Sequence, residues 1–261
     1  MKLPIPESLL ALEGQLETPH LRRAKSGTPS DCPPALENRF RPPSRPDAVG
    51  ATGETNASPI PQLAPAASAT LPAPDPDANR RRAAVLVLFR GQPDDLHIVF
   101  VEKTGQLRWH AGQIAFPGGT FDPADDGLTA TALREAQEEA GIVPASVDVL
   151  GLLPQWSISR SGFAVTSVLG WWAEPGPLAI GDPGEIAAIH VLPVADLIKA
   201  ANRSTWIHPA GHTGPGFGVG ELYIWGFTAL VLSRLFDAAG WTQPWDAQHQ
   251  VPIPPRFYRE R

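Results

Sequence analysis

The sequence predicts an α+β domain, a mixed sheet layered against helices, behind an arm that has no core of its own. Three observations support this. Short apolar runs at 83–89 and 96–103 flank the turn-forming "RGQPDD", the pattern of a β-hairpin. Two stretches, 129–140 and 220–240, carry apolar residues at helical spacing. Strands and helices then follow one another without the regular βαβ alternation of a doubly wound sheet.

The arm comes first. Residues 1–80 hold half of the 30 prolines and one aromatic residue, Phe40, whereas all 8 tryptophans lie after residue 100. Segments such as "SPIPQLAPAASATLPAPDPDAN" bury too little apolar surface to offset the entropy of ordering. The arm is expected to be mostly disordered, with a short helix in "PESLLALEGQL", where Leu9, Leu10, Leu12 and Leu16 roughly follow helical spacing. On composition alone, removing residues 1–78 should leave stability nearly unchanged. Residues 81–245 are expected to form the domain and 246–261 a C-terminal tail.

Within the domain, "GQIAFPGG" (112–119) reads as a strand ending in a two-glycine loop. "VDVLGLLPQW" (147–156) and "FAVTSVLGWWA" (163–173) read as further strands, and "IAAIHVLPVADLIKA" (186–200) as a strand leading into a short helix. "GPGFGVG" (214–220) lacks the spacing of a dinucleotide fingerprint and reads as a flexible hairpin or lid. "GELYIWGFTALVLSRLFDAAG" (220–240) supplies the longest helix, with Ile224, Val231, Leu232, Leu235 and Ala239 at core spacing.

Charge and cysteine content exclude several functions. The formal net charge is −6, and no basic run exists beyond Arg80–Arg82, so nucleic acid is not expected as a partner. Cys32, the single cysteine, lies in the arm, which leaves no cysteine–zinc site. No stretch approaches membrane-spanning length and no apolar leader is present, so the expected location is the cytoplasm, away from membranes. There is neither a GxSxG elbow nor an HExxH helix.

The chemistry concentrates in "FPGGTFDPADDGLTATALREAQEEAGI" (116–142). On a helix, Glu135, Glu138 and Glu139 share one face, opposite Leu133, Ala136 and Ala140. Glu138 and Glu139 also sit beside Gly141, a C-terminal stop, where the helix dipole disfavours anions. A solvated face with an Arg134–Glu138 pair is one reading, but that pair gains a few tenths of a kcal/mol and like-charge crowding opposes it by about as much. A hard divalent cation, Mg²⁺ or Mn²⁺, would resolve the conflict. Gly118–Gly119 would let backbone approach a phosphate, or serve only as a turn. Carboxylates, cation and glycine loop together point to phosphate-ester or pyrophosphate chemistry.

The segment resembles the Nudix box of the Nudix hydrolases, GX5EX7REUXEEXGU, where U is bulky and aliphatic. "REAQEEAGI" matches its second half, with Ala136 at the aliphatic position. In the first half Asp125 stands in place of glutamate, and eight residues separate it from Arg134. An aspartate with one inserted residue resembles the coenzyme A pyrophosphatase branch, whose upstream signature is LLTxRSxxLRxxxGxxxFPGG. Here the stretch reads "VFVEKTGQLRWHAGQIAFPGG" (99–119). Leu107–Arg108, Gly112 and Phe116–Gly119 match, whereas Val99–Val101 and Lys103–Thr104 depart from it.

The resemblance implies a Nudix fold, an α/β/α sandwich with a mixed sheet between helices and a catalytic loop–helix–loop at 118–142. It implies that Glu135 and Glu139 hold Mg²⁺ or Mn²⁺, with Glu138 a third ligand, direct or through water, and one of the three as base. Arg134 would brace the loop and the glutamates, and Asp125 would hold the loop in competition with Asp122 and Asp126. Lys103, Arg108, Gly118 and Gly119 are the implied substrate contacts, although the two cations also fit an ordinary surface. Trp109 and His110 read as base stacking or as packing, and Glu185 as a completing acid or a solvated one. The implied reaction is hydrolysis of the pyrophosphate of coenzyme A or its thioesters. The alternatives are another nucleoside diphosphate derivative (NADH, ADP-ribose or a nucleotide) and a silent nucleotide-binding Nudix domain. Oligomeric state stays open, a homodimer included.

Overall fold

The structure, a computed structural model, describes residues 5–10, 12, 80–105, 111–158, 162–254 and 257. Arg108, Trp109, His110 and most of the arm therefore lie outside the described residues. The sheet is built around β1 (Arg81–Gln92), which turns back antiparallel into β2 (Asp95–Lys103). The order continues through β3 (Ile114–Ala115) at one side, and β7 (Phe163–Trp172) and β5 (Val147–Leu152) at the other. β1 and β7 run parallel. β4 (Gly118–Thr120) pairs with β1, β6 (Trp156–Ile158) with β7, and β8 (Ile186–Pro193) with β2. The sheet is mixed, as expected.

Strand periodicity sorts the core into two layers. Ala84, Leu86 and Leu88 of β1 share a cluster with Val99 and Val101 of β2, while Val87 and Phe89 join Ile98 and Phe100 in a second cluster. Alternate side chains of both strands thus face opposite sides. α2 (Gly127–Ala140) covers the first face through Ala132, Ala136 and Ala140, all fully buried. A small residue at 136 suits a helix packed this closely on the sheet. After α1 (Glu7–Leu10) and α3 (Val194–Leu197), both a single turn, α4 (Gly226–Ala238) covers the second face with Ala229, Val231, Leu232, Leu235 and Phe236. No described helix is long and apolar enough to cross a membrane.

Four expectations change. The stretch "GPGFGVG" belongs to β10 (Thr213–Val219), which pairs with β9 (Arg203–Ile207) and β11 (Leu222–Ile224). Its glycines make room for rings, because a Cβ at Gly214 would lie 2.7 Å from Trp206 and one at Gly216 2.5 Å from the Tyr223 hydroxyl. Phe217, between Gly216 and Gly218, is fully buried, edge-on to Phe236 at 6.0 Å. The hairpin half of the expectation holds, since β10 turns at Gly220 into antiparallel β11, but a packed strand is no lid. Among the described residues the longest helix is α2, with 14 residues against 13 for α4, since Leu222–Ile224 is a strand. In the tail, β12 (Gln250–Pro252) pairs with β9, and Ile253 is buried.

The fourth change concerns the arm. Leu9 and Leu12 are buried in the same cluster as Phe89, Trp171 and Phe236, with Ile5 packed alongside. The arm's first residues are part of the core, so the expected neutrality of truncation reverses. Burying a leucine is worth about 1.5–3 kcal/mol before ordering costs. Deleting residues 1–12 should therefore lower Tm by about 5 °C for a domain of this size. Leu9→Ala should move it the same way. Thermal unfolding that coincides with the full chain's would show that the segment contributes nothing.

Candidate active site

Three local features position the acidic face of α2. Gly141 adopts the left-handed conformation, φ 69°, and ends the helix, with its N–H donating to the Gln137 carbonyl at 3.0 Å. Phe116 stacks on Phe100 at 5.3 Å, and the Pro117 carbonyl accepts the Leu86 N–H at 2.8 Å, which ties the incoming loop to the sheet. Gly118 and Gly119 then pass between β1 and α2. A Cβ at Gly119 would stand 2.5 Å from the Glu135 carboxylate, and one at Gly118 would collide with the Ala84 carbonyl. The glycines serve the glutamates directly: the Gly118 N–H donates to Glu139 Oε2 at 3.0 Å.

Arg134 organises the outer part of the site. Its Nε and Nη2 donate to the two oxygens of Asp125 at 2.9 and 3.1 Å. Nη1 reaches Glu135 Oε1 and Glu138 Oε2, each at 2.9 Å, and Nη2 also reaches the Thr120 carbonyl at 3.2 Å. One guanidinium thus ties three carboxylates to a loop carbonyl. Asp125 additionally accepts the Thr131 hydroxyl at 2.8 Å and the Asp122 N–H at 3.1 Å. Asp122 instead accepts the Ala124 N–H at 2.8 Å. The guanidinium fork holds the Asp125 carboxyl well below the usual carboxylate range, and Asp125 raises Arg134 in return.

The inner part is more deeply buried. Glu139 is 4% exposed, and Lys103 Nζ donates to its Oε1. Burial pushes the Glu139 carboxyl up, against the opposing pull of Lys103 and the Gly118 N–H, and the charge of Glu185 adds to the rise. Burial also raises Glu135, although Arg134 opposes it. The Glu138 side chain is 58% exposed and stands at the rim. Lys103 therefore lies on a glutamate, not on open surface. Glu185 is exposed but close enough for its charge to act on Glu139.

The donor set suits a hard divalent cation: carboxylates on successive turns, two of them in surroundings that disfavour their bare charge. Among the described residues no three such groups converge as they stand; Lys103 engages Glu139, and Arg134 engages Glu135 and Glu138. Thr131 and the Lys103–Glu139 pair are the parts that sequence reasoning did not place in the site. Glu135, Glu138, Glu139, Arg134, Gly118 and Gly119 do come together.

The NUDIX domain family profile matches residues 79–209, a span that includes the glycine loop, Arg134 and the three glutamates. The chain belongs to the Nudix family. Similar proteins include the "Uncharacterized Nudix hydrolase NudL" of Cronobacter sakazakii, 38% identical over 160 residues, covering 60% of this chain and 82% of that one. The NudL of Yersinia enterocolitica is 37% identical over 163 residues, covering 60% and 81%. Among solved structures, the Nudix hydrolase RenU of M. smegmatis aligns with a TM-score of 0.45 at 18% identity, over 64% of this chain and 90% of that chain. A Nudix hydrolase of Alicyclobacillus acidocaldarius aligns with a TM-score of 0.41 at 20% identity, over 62% and 94%. The protein is thus a Nudix hydrolase, and hydrolases of this family generally use divalent cations.

Asp125→Asn should destabilise this Nudix domain by about 1–3 kcal/mol, the cost of a lost charged hydrogen-bond partner. The pH dependence has a definite sign. A carboxyl lowered in the folded state contributes stability that is complete above its unfolded pKa and is lost as pH falls through the folded one. The gap between variant and wild type in urea midpoints should be constant from neutral pH down to about pH 5 and narrow below about pH 4. A gap that persists unchanged at lower pH would remove Asp125 from this role.

Proposed function

We propose that this Nudix hydrolase cleaves the pyrophosphate of coenzyme A or its thioesters, giving 3′,5′-ADP and phosphopantetheine or its acyl form, with Mg²⁺ or Mn²⁺. The observation that carries this reading is the use made of Asp125. The box departs from the general pattern by an aspartate and one inserted residue, the resemblance that points to the coenzyme A branch. That aspartate is the group on which the arginine fork closes. The matching "LR" at 107–108, Gly112 and "FPGG" at 116–119 add upstream support.

Glu135 and Glu139 would hold the cation, with Glu138 a third ligand, direct or through water. When bound, the cation would draw charge from the pyrophosphate and lower the pKa of a coordinated water. Water would attack phosphorus as one of the three glutamates takes its proton, the P–O bond of the anhydride breaking so that the departing phosphate leaves with the bond's electron pair. Arg134 keeps Glu135 and Glu138 aligned throughout, and the bare Gly118–Gly119 backbone leaves the carboxylates unobstructed. Arg108 would contact a substrate phosphate.

A second reading, another nucleoside diphosphate derivative such as NADH or ADP-ribose, is favoured by one detail. Lys103 replaces the signature's arginine, and lysine lacks the planar fork that grips phosphate with two hydrogen bonds. A silent nucleotide binder is disfavoured, since binding alone does not require three crowded carboxylates.

Two measurements test the proposal. Glu139→Gln should lower turnover by at least about a hundredfold with the fold intact, as loss of a hard anionic ligand would. Near-normal rates at saturating Mg²⁺ would remove Glu139 as a ligand. A charge-assisted contact to the 3′-phosphate should make coenzyme A preferred over dephospho-coenzyme A by about tenfold or more in kcat/KM. Arg108→Ala should shrink that preference more than it slows the dephospho form. Equal rates on the two, or faster cleavage of ADP-ribose, would overturn the coenzyme A reading alone.

A further inference from the structure

We propose that Lys103 is the resident counter-ion of this site, competing with the divalent cation for Glu139, so that metal loading requires its side chain to swing away. The inference deepens the reading above and rests on Glu139 being a metal ligand.

The backbone shows how Lys103 is aimed. Pairing between β2 and β8 shifts register between Glu102 and Lys103, and such an irregularity re-aims the side chain that follows it. Its own backbone is held by two hydrogen bonds to the segment that leads into β3. The Lys103 N–H donates to the Gln113 carbonyl at 2.9 Å, and the Lys103 carbonyl accepts the Gly112 N–H at 3.0 Å. The side chain is 17% exposed and ends on Glu139, whose own side chain is 5% exposed. With the Gly118 N–H on Oε2, both oxygens of this buried carboxylate are answered from within the protein.

That arrangement keeps the metal-free fold free of a lone buried charge, which would be costly. It also places an ammonium on an oxygen that a divalent cation would need. The two positive charges cannot share Oε1 at contact distance without strong repulsion in so dry a place. Arg134, fixed by Asp125, Glu135, Glu138 and Thr120, is not the group to give way. Lys103 is: among the described residues its side-chain partner is Glu139 alone, and its unbranched stem can swing without moving the strand. The displaced ammonium is then left to meet an anionic substrate, so one charge serves the fold first and the substrate second.

The test is Mn²⁺ binding to the full chain without substrate, followed by calorimetry and by the paramagnetic resonance signal of free Mn²⁺. Lys103→Met and Lys103→Gln both remove the competitor and should bind Mn²⁺ at least about tenfold more tightly than wild type. Lys103→Arg keeps the charge and should stay near the wild-type value. In the absence of metal, both neutral variants should melt below wild type, and Mn²⁺ should raise their Tm by a larger margin. Equal or weaker Mn²⁺ binding by both neutral variants would overturn the counter-ion role while leaving the hydrolase intact. Wild-type affinity in Glu139→Gln would instead overturn Glu139 as a ligand, and the inference with it.

Discussion

Negative charge gathered at the closed end of a buried helix is the constraint that the rest of this site answers. The last turns of α2 carry Glu135, Glu138 and Glu139 where the helix dipole already disfavours anions. Two of the three also lose water. Nothing in the last turn itself compensates for this, since it has no basic residue. Compensation comes from one turn earlier, where Arg134 spans Asp125, Glu135 and Glu138. It also comes from outside, where Lys103 at the end of β2 meets Glu139. Among the described residues the first cation is locked by several partners and the second by one. That difference decides which half of the site can rearrange.

The sheet makes such a crowded helix end affordable by holding everything around it still. β1 carries α2 on one face through Leu86 and Leu88 while pairing edge-on with the β4 glycines. The distance between glycine loop and helix is therefore set by the strand, not by the loop. The alanines of α2 let it lie close, and the missing Cβ atoms of Gly118 and Gly119 are what that closeness demands. Packing and chemistry use the same small residues. A bulkier residue at 119 would strike the Glu135 carboxylate before it disturbed any turn.

Much of this was legible in the sequence, and the failures share a cause. The acidic face, the Gly141 stop and the glycine pair lie within one continuous segment, so local spacing was enough to assemble them. The layering of a mixed sheet between helices was equally readable from alternation and helical period. Lys103 and Glu139 are separated by 36 residues, and no local pattern announces that a strand irregularity turns one toward the other. The glycines of "GPGFGVG" were read as freedom when they are clearance for Trp206 and Tyr223 on neighbouring strands. In the arm, average composition masked two leucines that complete a core built far downstream. Contacts made across the fold were invisible to any reading that moved along the chain.

The carboxyls around Arg134 divide the work by their titration. Asp125 and Glu135 touch the same guanidinium, yet Asp125 is lowered and Glu135 raised. The cause is burial at Glu135, only partly opposed by Arg134, and hydrogen bonding at Asp125. Asp125 receives both arms of the fork, a hydroxyl and a backbone N–H, whereas Arg134 gives Glu135 only Nη1, which it shares with Glu138. Asp125 is a permanent anion and hence an anchor. Glu135 and Glu139 are the opposite case: a carboxyl raised in the folded state binds protons more tightly folded than unfolded, so it weakens the fold as pH rises above its ordinary value. Ionising either one costs stability as pH rises, a cost that a divalent cation on their oxygens would relieve. Burial sets this pair apart from the hydrogen-bonded anchor Asp125.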